Sequence, residues 1–372
     1  MATPNSQSFK IGAVGDVMIS RDVGRHFSEK PQDFDLPEIR QVLDQNHFTL
    51  ANLETPVSER GEPHPKQDPH VAFCAEPESL KIISELGMSA VTLANNHMLD
   101  YGPIALKDTL GHLDDHGILH FGAGTNYSSA NEPLLIDING LPVAFLGSVF
   151  IYSSSTERAG RDRPGVADNA LRPLLRQIRH LKKRGYIVIV TIHWGLEYSS
   201  YPLQHQARQA RQMIDCGASL ILGHGPHFPQ GVEKYKNGVI VYSLGNFIFD
   251  EPFLHSNRSF IYSGELDHTG VIESSITPVI IDAHVPRLAN DREKKKLSRT
   301  IYSLDKIYER KPKRFWQNHN NLYFRDVLYR VAGNRDLKFL RLQPITFYGQ
   351  LGAHNYLKKF TDRVKRIFKP RP

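Results

Sequence analysis

The chain is short of cysteine, of tryptophan and of long apolar runs. Its 372 residues include two cysteines, Cys74 and Cys216, and two tryptophans. Two thiols close at most one bridge, so no disulfide framework holds this fold together. Cys216 falls at the end of an expected helix and Cys74 near a turn, and both read as inert filler. No stretch reaches the roughly 18–20 apolar residues that a membrane-spanning helix needs. Met1–Ser8 is polar and short, and Phe9 already begins a strand, so no signal peptide or N-terminal anchor is expected. No internal repeat is present, which excludes solenoids and propellers. The expected compartment is the cytoplasm.

What is present is ordinary globular material. Hydrophobic residues make up 40% and charged residues 23%, with a mean hydropathy of -0.39. That suffices for one large domain with an extension, or for two domains. The net charge of +7 hides an asymmetry. Residues 1–284 carry 23 basic and 32 acidic side chains, whereas residues 285–372 carry 23 basic and 7 acidic. An acidic body precedes a basic tail, and such a split points to a charged partner for the tail.

Short apolar runs rich in Val and Ile predict strands over Phe9–Gly15, Phe48–Asn52, Ser89–Leu93, Leu119–Gly122, Tyr186–Ile192, Ala218–Leu222 and Val239–Tyr242. Helical spacing predicts helices over Leu36–Asn46, Pro77–Leu86, Pro103–Gly117, Asn169–Arg184 and Gln204–Cys216. Asn139-Gly140 predicts a tight hairpin within Leu134–Val149, and Asn237-Gly238 a second strand pair. Ser153–Val166 reads as an irregular loop, and Ser259–Ile281 as two or three more strands. Strands that first alternate with helices and later pair as hairpins suggest an α/β fold, with a mixed sheet or a two-sheet sandwich and helices outside.

The polar clusters gather where these strands end: Asp16; Asn52 and Glu54; Asn95, Asn96, His97 and Asp100; His193; His224 and His227; Asn246. In open α/β sheets that rim binds ligands. Singly, several have plain explanations. Asp after a strand is a routine cap, Asn95-Asn96 suits a turn, and a lone His193 is the pattern of a satisfied core histidine. Two histidines around Gly225 and Pro226 at a strand end are harder to explain by packing. Together the set supplies what a two-metal hydrolytic site needs: a bridging carboxylate, imidazoles and an amide carbonyl, and one group free for proton transfer. Mixed N/O ligands suit Mn, Fe or Zn.

The segments Gly15-Asp16-Val17-Met18, Asn52-Leu53-Glu54, Leu93-Ala94-Asn95-Asn96-His97 with Asp100, His193-Trp194-Gly195 with Glu197-Tyr198, Gly223-His224 through Pro226-His227, and Tyr242–Phe247 with Phe249-Asp250 resemble the CapA family. These are the poly-γ-glutamate capsule synthesis proteins, or PgsA-like proteins, placed among the calcineurin-like metallophosphoesterases. The resemblance covers residues 9–284. It implies a four-layer fold, a β-sandwich between helices, with a metal centre at the loop edge. It further implies that Asp16 and His227 bind a first metal, that Glu54 bridges, and that Asn96, His193 and His224 bind a second. His97, beside Asp100, would protonate the leaving group. Arg21, Asn246 and Glu197 are the candidates for holding an anionic substrate.

The sequence departs from that superfamily in three ways. Met18 stands where its phosphoesterases usually carry a ligating histidine, which takes one ligand from the first metal; His70 or Glu197 is a candidate replacement, and a one-metal site is the alternative to two. The closing histidines are separated by two residues rather than one, as CapA-like chains generally show. The basic extension, residues 285–372, has no counterpart in the family. Two functions follow. The first is a metal-dependent hydrolase of a phosphoester or a γ-glutamyl or other amide bond. The second is a non-catalytic metal-binding accessory protein for capsule polymer synthesis or export. The tail ends in a basic amphipathic helix around Tyr356–Phe368. It could pack on its own domain, dock on an acidic partner, lie on an anionic membrane surface at the inner face of the membrane, or bind nucleic acid by charge. The last is the weakest reading, because the ligand-rich body offers no reader fold.

Overall fold

The computed structural model describes residues 7–65, 71–150, 157–167, 170–250 and 256–303. In chain order the first strands are β1 (Phe9–Val17), β2 (Phe48–Leu53), β3 (Ala90–Thr92), β4 (Leu119–Phe121), β5 (Ala123–Gly124), β6 (Leu134–Ile138), β7 (Leu141–Val149) and β8 (Gly165–Val166). They are followed by β9 (Ile187–His193), β10 (Ala218–His224), β11 (Val232–Tyr235), β12 (Gly238–Val241), β13 (Asn246–Ile248), β14 (Arg258–Asp267), β15 (Gly270–Asp282) and β16 (Val285–Leu288). The helices are α1 (Arg21–Glu29), α2 (Pro37–Leu43), α3 (Leu80–Glu85), α4 (Gly102–Asp115), α5 (Tyr127–Asn131), α6 (Leu171–Lys183), α7 (Gln204–Asp215) and α8 (Asp291–Ser303).

The strands form two main sheets. One runs β16-β15-β14-β1-β2-β3-β4 with β13 also paired to β1; the other runs β11-β12-β10-β9-β7-β6. β1 to β4 are parallel, and so are β7, β9, β10 and β12, while the hairpins at the edges are antiparallel. Parallel strands buried on both faces explain the unbroken apolar runs of β9 and β10. Phe9, Ile11, Phe48 and Leu50 of the first sheet meet Phe145, Ile189, Leu220 and Leu222 of the second in a shared core. Phe48 stacks on Phe145 there with centroids 5.0 Å apart. Helices α1 to α4 cover the outer face of the first sheet through Val23, Ile39, Leu80 and Leu106. Helices α6 and α7 cover the second through Leu174, Ile178, Ala207 and Met213. The order is helix, sheet, sheet, helix.

Local signals account for most elements and miss others. Asn139 and Gly140 both have positive φ, +54° and +79°, as a two-residue hairpin turn requires. The second hairpin turns one residue earlier than expected: Lys236-Asn237 is the loop, Lys236 takes φ +52°, and Gly238 already pairs with Tyr235. In the strand Gly238 lies close to Ile214, whose Cδ1 would be 2.6 Å from an added Cβ. Residues 77–79 form a 3-10 turn before α3 rather than a single helix. Helix α1 has no counterpart among the expected elements. The first sheet also runs on past residue 284. β16 pairs with β15, and Leu297 and Ile301 of α8 enter the core between the sheets. Residues 285–303 of the expected extension therefore belong to the same folded body as β15. The amphipathic segment Tyr356–Phe368, His70 and most of the Ser153–Val166 loop's first half lie outside the described residues. Among the described residues no helix is long and apolar enough to cross a membrane.

Two glycines make opposite predictions. At Gly15 an added Cβ would lie 2.0 Å from the carbonyl oxygen of Gly245, so neighbouring backbone has to move. Gly15→Ala is expected to cost about 2–3 kcal/mol or more. Gly111 sits in α4 with nothing within 4 Å of the added atom, so Gly111→Ala should stabilise by roughly 0.5–1 kcal/mol. Urea denaturation of both variants, with an unchanged slope, checks the pair.

Candidate metal centre

The pairing register builds the site. On the first sheet Asp16 is the partner of Asn52 on one side and of Asn246 on the other. On the second sheet His224 of β10 is the partner of His193 of β9. Asp16, Asn52, His193 and His224 sit at C-terminal strand ends, and Asn246 opens β13 beside them, so their side chains gather at one rim. Close backbone passages hold the rims in place. Asp16 N–H donates to Gly245 O at 2.9 Å, which Gly15 permits. Trp194 Nε1 donates to Tyr242 O at 2.9 Å, and a Cβ on Gly223 would fall 2.1 Å from that same carbonyl.

Three imidazoles converge on one carboxylate oxygen. Glu54 Oε1 lies 3.8 Å from His97 Nε2, 3.8 Å from His193 Nε2 and 4.0 Å from His227 Nε2. Asp16, Glu54 and His227 offer ligand atoms within 4.8 Å of one another, and all three are buried. His224 donates through Nδ1 to Asp16 Oδ1 at 2.9 Å, so its Nε2 carries the lone pair. Among the described residues that buried Nε2 has no hydrogen-bond partner. His227 Nδ1 faces Asn246 Oδ1 at 2.8 Å, which likewise leaves Nε2 as the lone-pair nitrogen. A buried imidazole lone pair with no donor to satisfy it suits a cation, and the donor set of carboxylates and imidazoles fits a divalent transition metal. The buried Asp/Glu/His cluster could therefore hold metal ions.

Burial shapes the protonation. Burial alone would raise Asp16, but the hydrogen bond from His224 and the nearby imidazoles outweigh it and hold the carboxyl below its usual range. Burial depresses His193 from 6.5 to about 3, with Asp16 opposing and the other imidazoles adding to the depression. His193 is thus neutral at physiological pH, the form that ligates metal.

The remaining expected residues take distinct places. His97 Nδ1 is 2.6 Å from Asp100 Oδ2, and the same oxygen accepts from Phe73 N–H at 3.0 Å. Asn96 is buried in the turn after β3. Arg21 opens α1 and donates through Nε to Asp250 Oδ2 at 3.0 Å. Glu197 is exposed on the loop after β9, where its neighbour Tyr198 stacks on His227 with centroids 5.6 Å apart. Met18 points into the core, and its sulfur accepts from Ser20 Oγ at 2.9 Å. Asn52 takes the central position. Its Nδ2 donates to Asp16 Oδ1 at 2.9 Å and lies 3.4 Å from His193 Nδ1, while its Oδ1 accepts from Asn95 Nδ2 at 3.1 Å. It stands two residues before Glu54 on an emerging strand, and that spacing was the available signal for its role. Phe73 had none, because it comes from a loop with no local pattern.

The match to the family described as "Bacterial capsule synthesis protein PGA_cap" spans residues 10–251. The chain belongs to that family. It is 32% identical over 279 residues to the capsule biosynthesis protein CapA of Bacillus anthracis, covering 74% of this chain and 68% of that one. It is 31% identical over 274 residues to the PGA biosynthesis protein CapA of Bacillus subtilis, covering 73% and 72%. Among solved structures it is similar to a putative 5'-nucleotidase from Staphylococcus aureus, with TM-score 0.47 and 16% identity over 79% of this chain and 58% of that one. The PGA_cap match ends at residue 251, one residue after Asp250, so every cluster residue named above falls inside it.

The pH dependence has a definite sign. Between pH 6.5 and about 3 the unfolded chain binds a proton at His193 that the folded chain does not. Acidification through that window therefore favours unfolding, and the lowered Asp16 continues the trend below it. Chelator-treated protein should lose thermal stability as the pH falls from 7 to 5, and His193→Gln should flatten that slope. A melting temperature of the parent protein that does not move over this range would contradict the buried, neutral imidazole.

Proposed function

We propose that this PGA_cap protein is a metal-dependent hydrolase. Its reaction would be the hydrolysis of a phosphoester or a γ-glutamyl or other amide bond, in the synthesis of a capsule or poly-γ-glutamate-type polymer. The observation that carries the reading is the convergence of three imidazole Nε2 atoms on Glu54 Oε1 beside the His97–Asp100 pair. Bound divalent ions, two of Mn, Fe or Zn, would polarise the scissile group and lower the pKa of a bound water. Asp16 and His227 would hold one, Asn96, His193 and His224 the other, and Glu54 both.

The chain's own groups do the rest. Asp100 holds the His97 ring through Nδ1, fixes its tautomer and stabilises the imidazolium. His97 Nε2 then faces the centre and gives its proton to the departing oxygen or nitrogen. In balance, the bond from water oxygen to phosphorus or carbonyl carbon forms and the bond to the leaving group breaks. The leaving group takes the His97 proton, and the proton from water returns to solvent. Asn246 aligns His227, and its buried Nδ2, which has no hydrogen-bond partner among the described residues, suits an anionic oxygen of the substrate.

Met18 favours one alternative. With its sulfur turned to Ser20 inside the core, the first site lacks the histidine that Met18 replaces. A single-metal, non-catalytic accessory role in polymer synthesis or export is the reading that follows if that site is empty.

Elemental analysis of protein purified without chelator separates these readings. About two transition-metal ions per chain are expected, lost in Glu54→Ala and His224→Ala. His97→Asn should keep the metal and lose about 10²- to 10⁴-fold in kcat on phosphoesters or γ-glutamyl amides. Asp100→Asn should fall in the same direction. One ion per chain with no turnover would favour the accessory role.

A further inference from the structure

Arg21 and His97 share one aromatic support. Phe73 stacks on His97 with centroids 4.2 Å apart and rings 25° from parallel. The Arg21 guanidinium carbon lies 5.2 Å from the centre of the same Phe73 ring. Phe73 is itself tied through its backbone N–H to the Asp100 oxygen that orients His97. On the other flank Phe249 packs edge-on against both Phe73 and His227. The guanidinium and the His97 ring thus both rest against Phe73.

Arg21 is held there at a cost. Its backbone is in the left-handed region at φ +54°, a conformation worth about 1–3 kcal/mol of strain for a residue with a side chain. Its Nε is pinned to Asp250, whose side chain is fully buried and also accepts from Asp22 N–H at 3.2 Å. Even so, 35% of the Arg21 side chain stays open to solvent. A strained backbone, a buried carboxylate and an aromatic face together fix one accessible guanidinium. Surface ion pairs are not built this way.

We infer that the site selects substrates whose leaving group carries its own negative charge, and that Arg21 binds that charge, with Asp250 as its positioning residue. This rests on the hydrolase reading, in which His97 protonates the leaving group. A cation mounted on the same ring as the proton donor meets the departing fragment rather than the group under attack. The chemical class is a carboxylate- or phosphate-bearing alcohol or amine.

Matched substrates test this on the manganese-loaded full chain. γ-Glutamylglycine and γ-glutamylglycinamide differ only in the charge of the leaving amine; 4-carboxyphenyl and 4-carbamoylphenyl phosphate differ likewise as phosphoesters. The parent protein should prefer the charged member in kcat/KM by about 10- to 100-fold, the scale of one charge-assisted hydrogen-bonded contact. Arg21→Met should abolish that preference, kcat/KM for the charged member falling to that of the neutral member while the metal content is kept. Arg21→Lys should keep part of it, and Asp250→Asn should weaken it. Calorimetric binding of the same pairs to His97→Asn protein, with and without Arg21→Met, reads recognition apart from turnover. A binding preference that vanishes with Arg21 in a protein that hydrolyses neither member would sustain the Arg21 assignment while the hydrolase reading fell. Equal handling of the two members by the parent protein, in turnover and in binding, would overturn the inference.

Discussion

Two carboxylates share one dry pocket, and the rest of the site exists because of that. Asp16 and Glu54 are both fully buried at the end of adjacent strands. Like charges removed from water repel and lose hydration, at a cost no fold carries without compensation. The surroundings supply the compensation. Asp16 takes donors from Asn52, His224 and the Gly225 N–H, and Glu54 Oε1 faces three imidazole Nε2 atoms across 3.8–4.0 Å, a gap that suits a shared cation rather than hydrogen bonds. These donors come from both sheets, so the pocket ties the two halves of the sandwich together. A divalent cation is the strongest remaining way to stabilise such a pair, and the buried lone pair of His224 is in place to help hold it.

That demand sets the local backbone. The two carboxylates meet through the pairing of β1 with β2, where Glu54 N–H donates to Val17 O at 2.8 Å, and Gly15 lets the Gly245 carbonyl pass against β1 on the other side. The imidazoles of β9 and β10 reach them only if Gly223 lets the strand end lie against Tyr242 O. The small residues around the polar clusters are clearances for main chain. They are as necessary to the site as the ligands, because a side chain at Gly15 or Gly223 would push a whole rim away.

Much of this was legible in the sequence, for a physical reason. Parallel strands buried on both faces must be continuous apolar runs, so β9 and β10 announce themselves, and a ligand at a strand end is then located to within a residue. Elements that depend on distant packing were harder to read. Helix α1 buries only Val23 and Phe27 among nine residues, too few to set a period. Helix α8 is charged over most of its length, yet Leu297 and Ile301, one turn apart, reach the core. A count of charges therefore drew the line at residue 284 where pairing and packing continue to α8. The second hairpin closes on Lys236-Asn237, with Gly238 already paired in β12 beside Ile214, so the Asn-Gly pair does not itself form the turn. Asp16, Glu54 and the histidines could be found by position, whereas Phe73 could not, since it reaches the site from a loop.

Backbone strain marks where the site has least freedom. Arg21, Tyr198 and His227 all take positive φ, at +54°, +60° and +58°, and all three border the cluster. A glycine at 227 would remove the strain, but it would also remove the ring that meets Asn246 through Nδ1 and faces Glu54 through Nε2. The strain is sustained by contacts that only this conformation makes: Tyr198 N–H donates to Pro226 O at 2.8 Å, and its ring lies on His227. Conformations of that kind persist where the surrounding structure over-determines them. Here the over-determination comes from the same groups that compensate the two buried carboxylates. Relieving the strain at 227 would therefore remove the imidazole that faces Glu54.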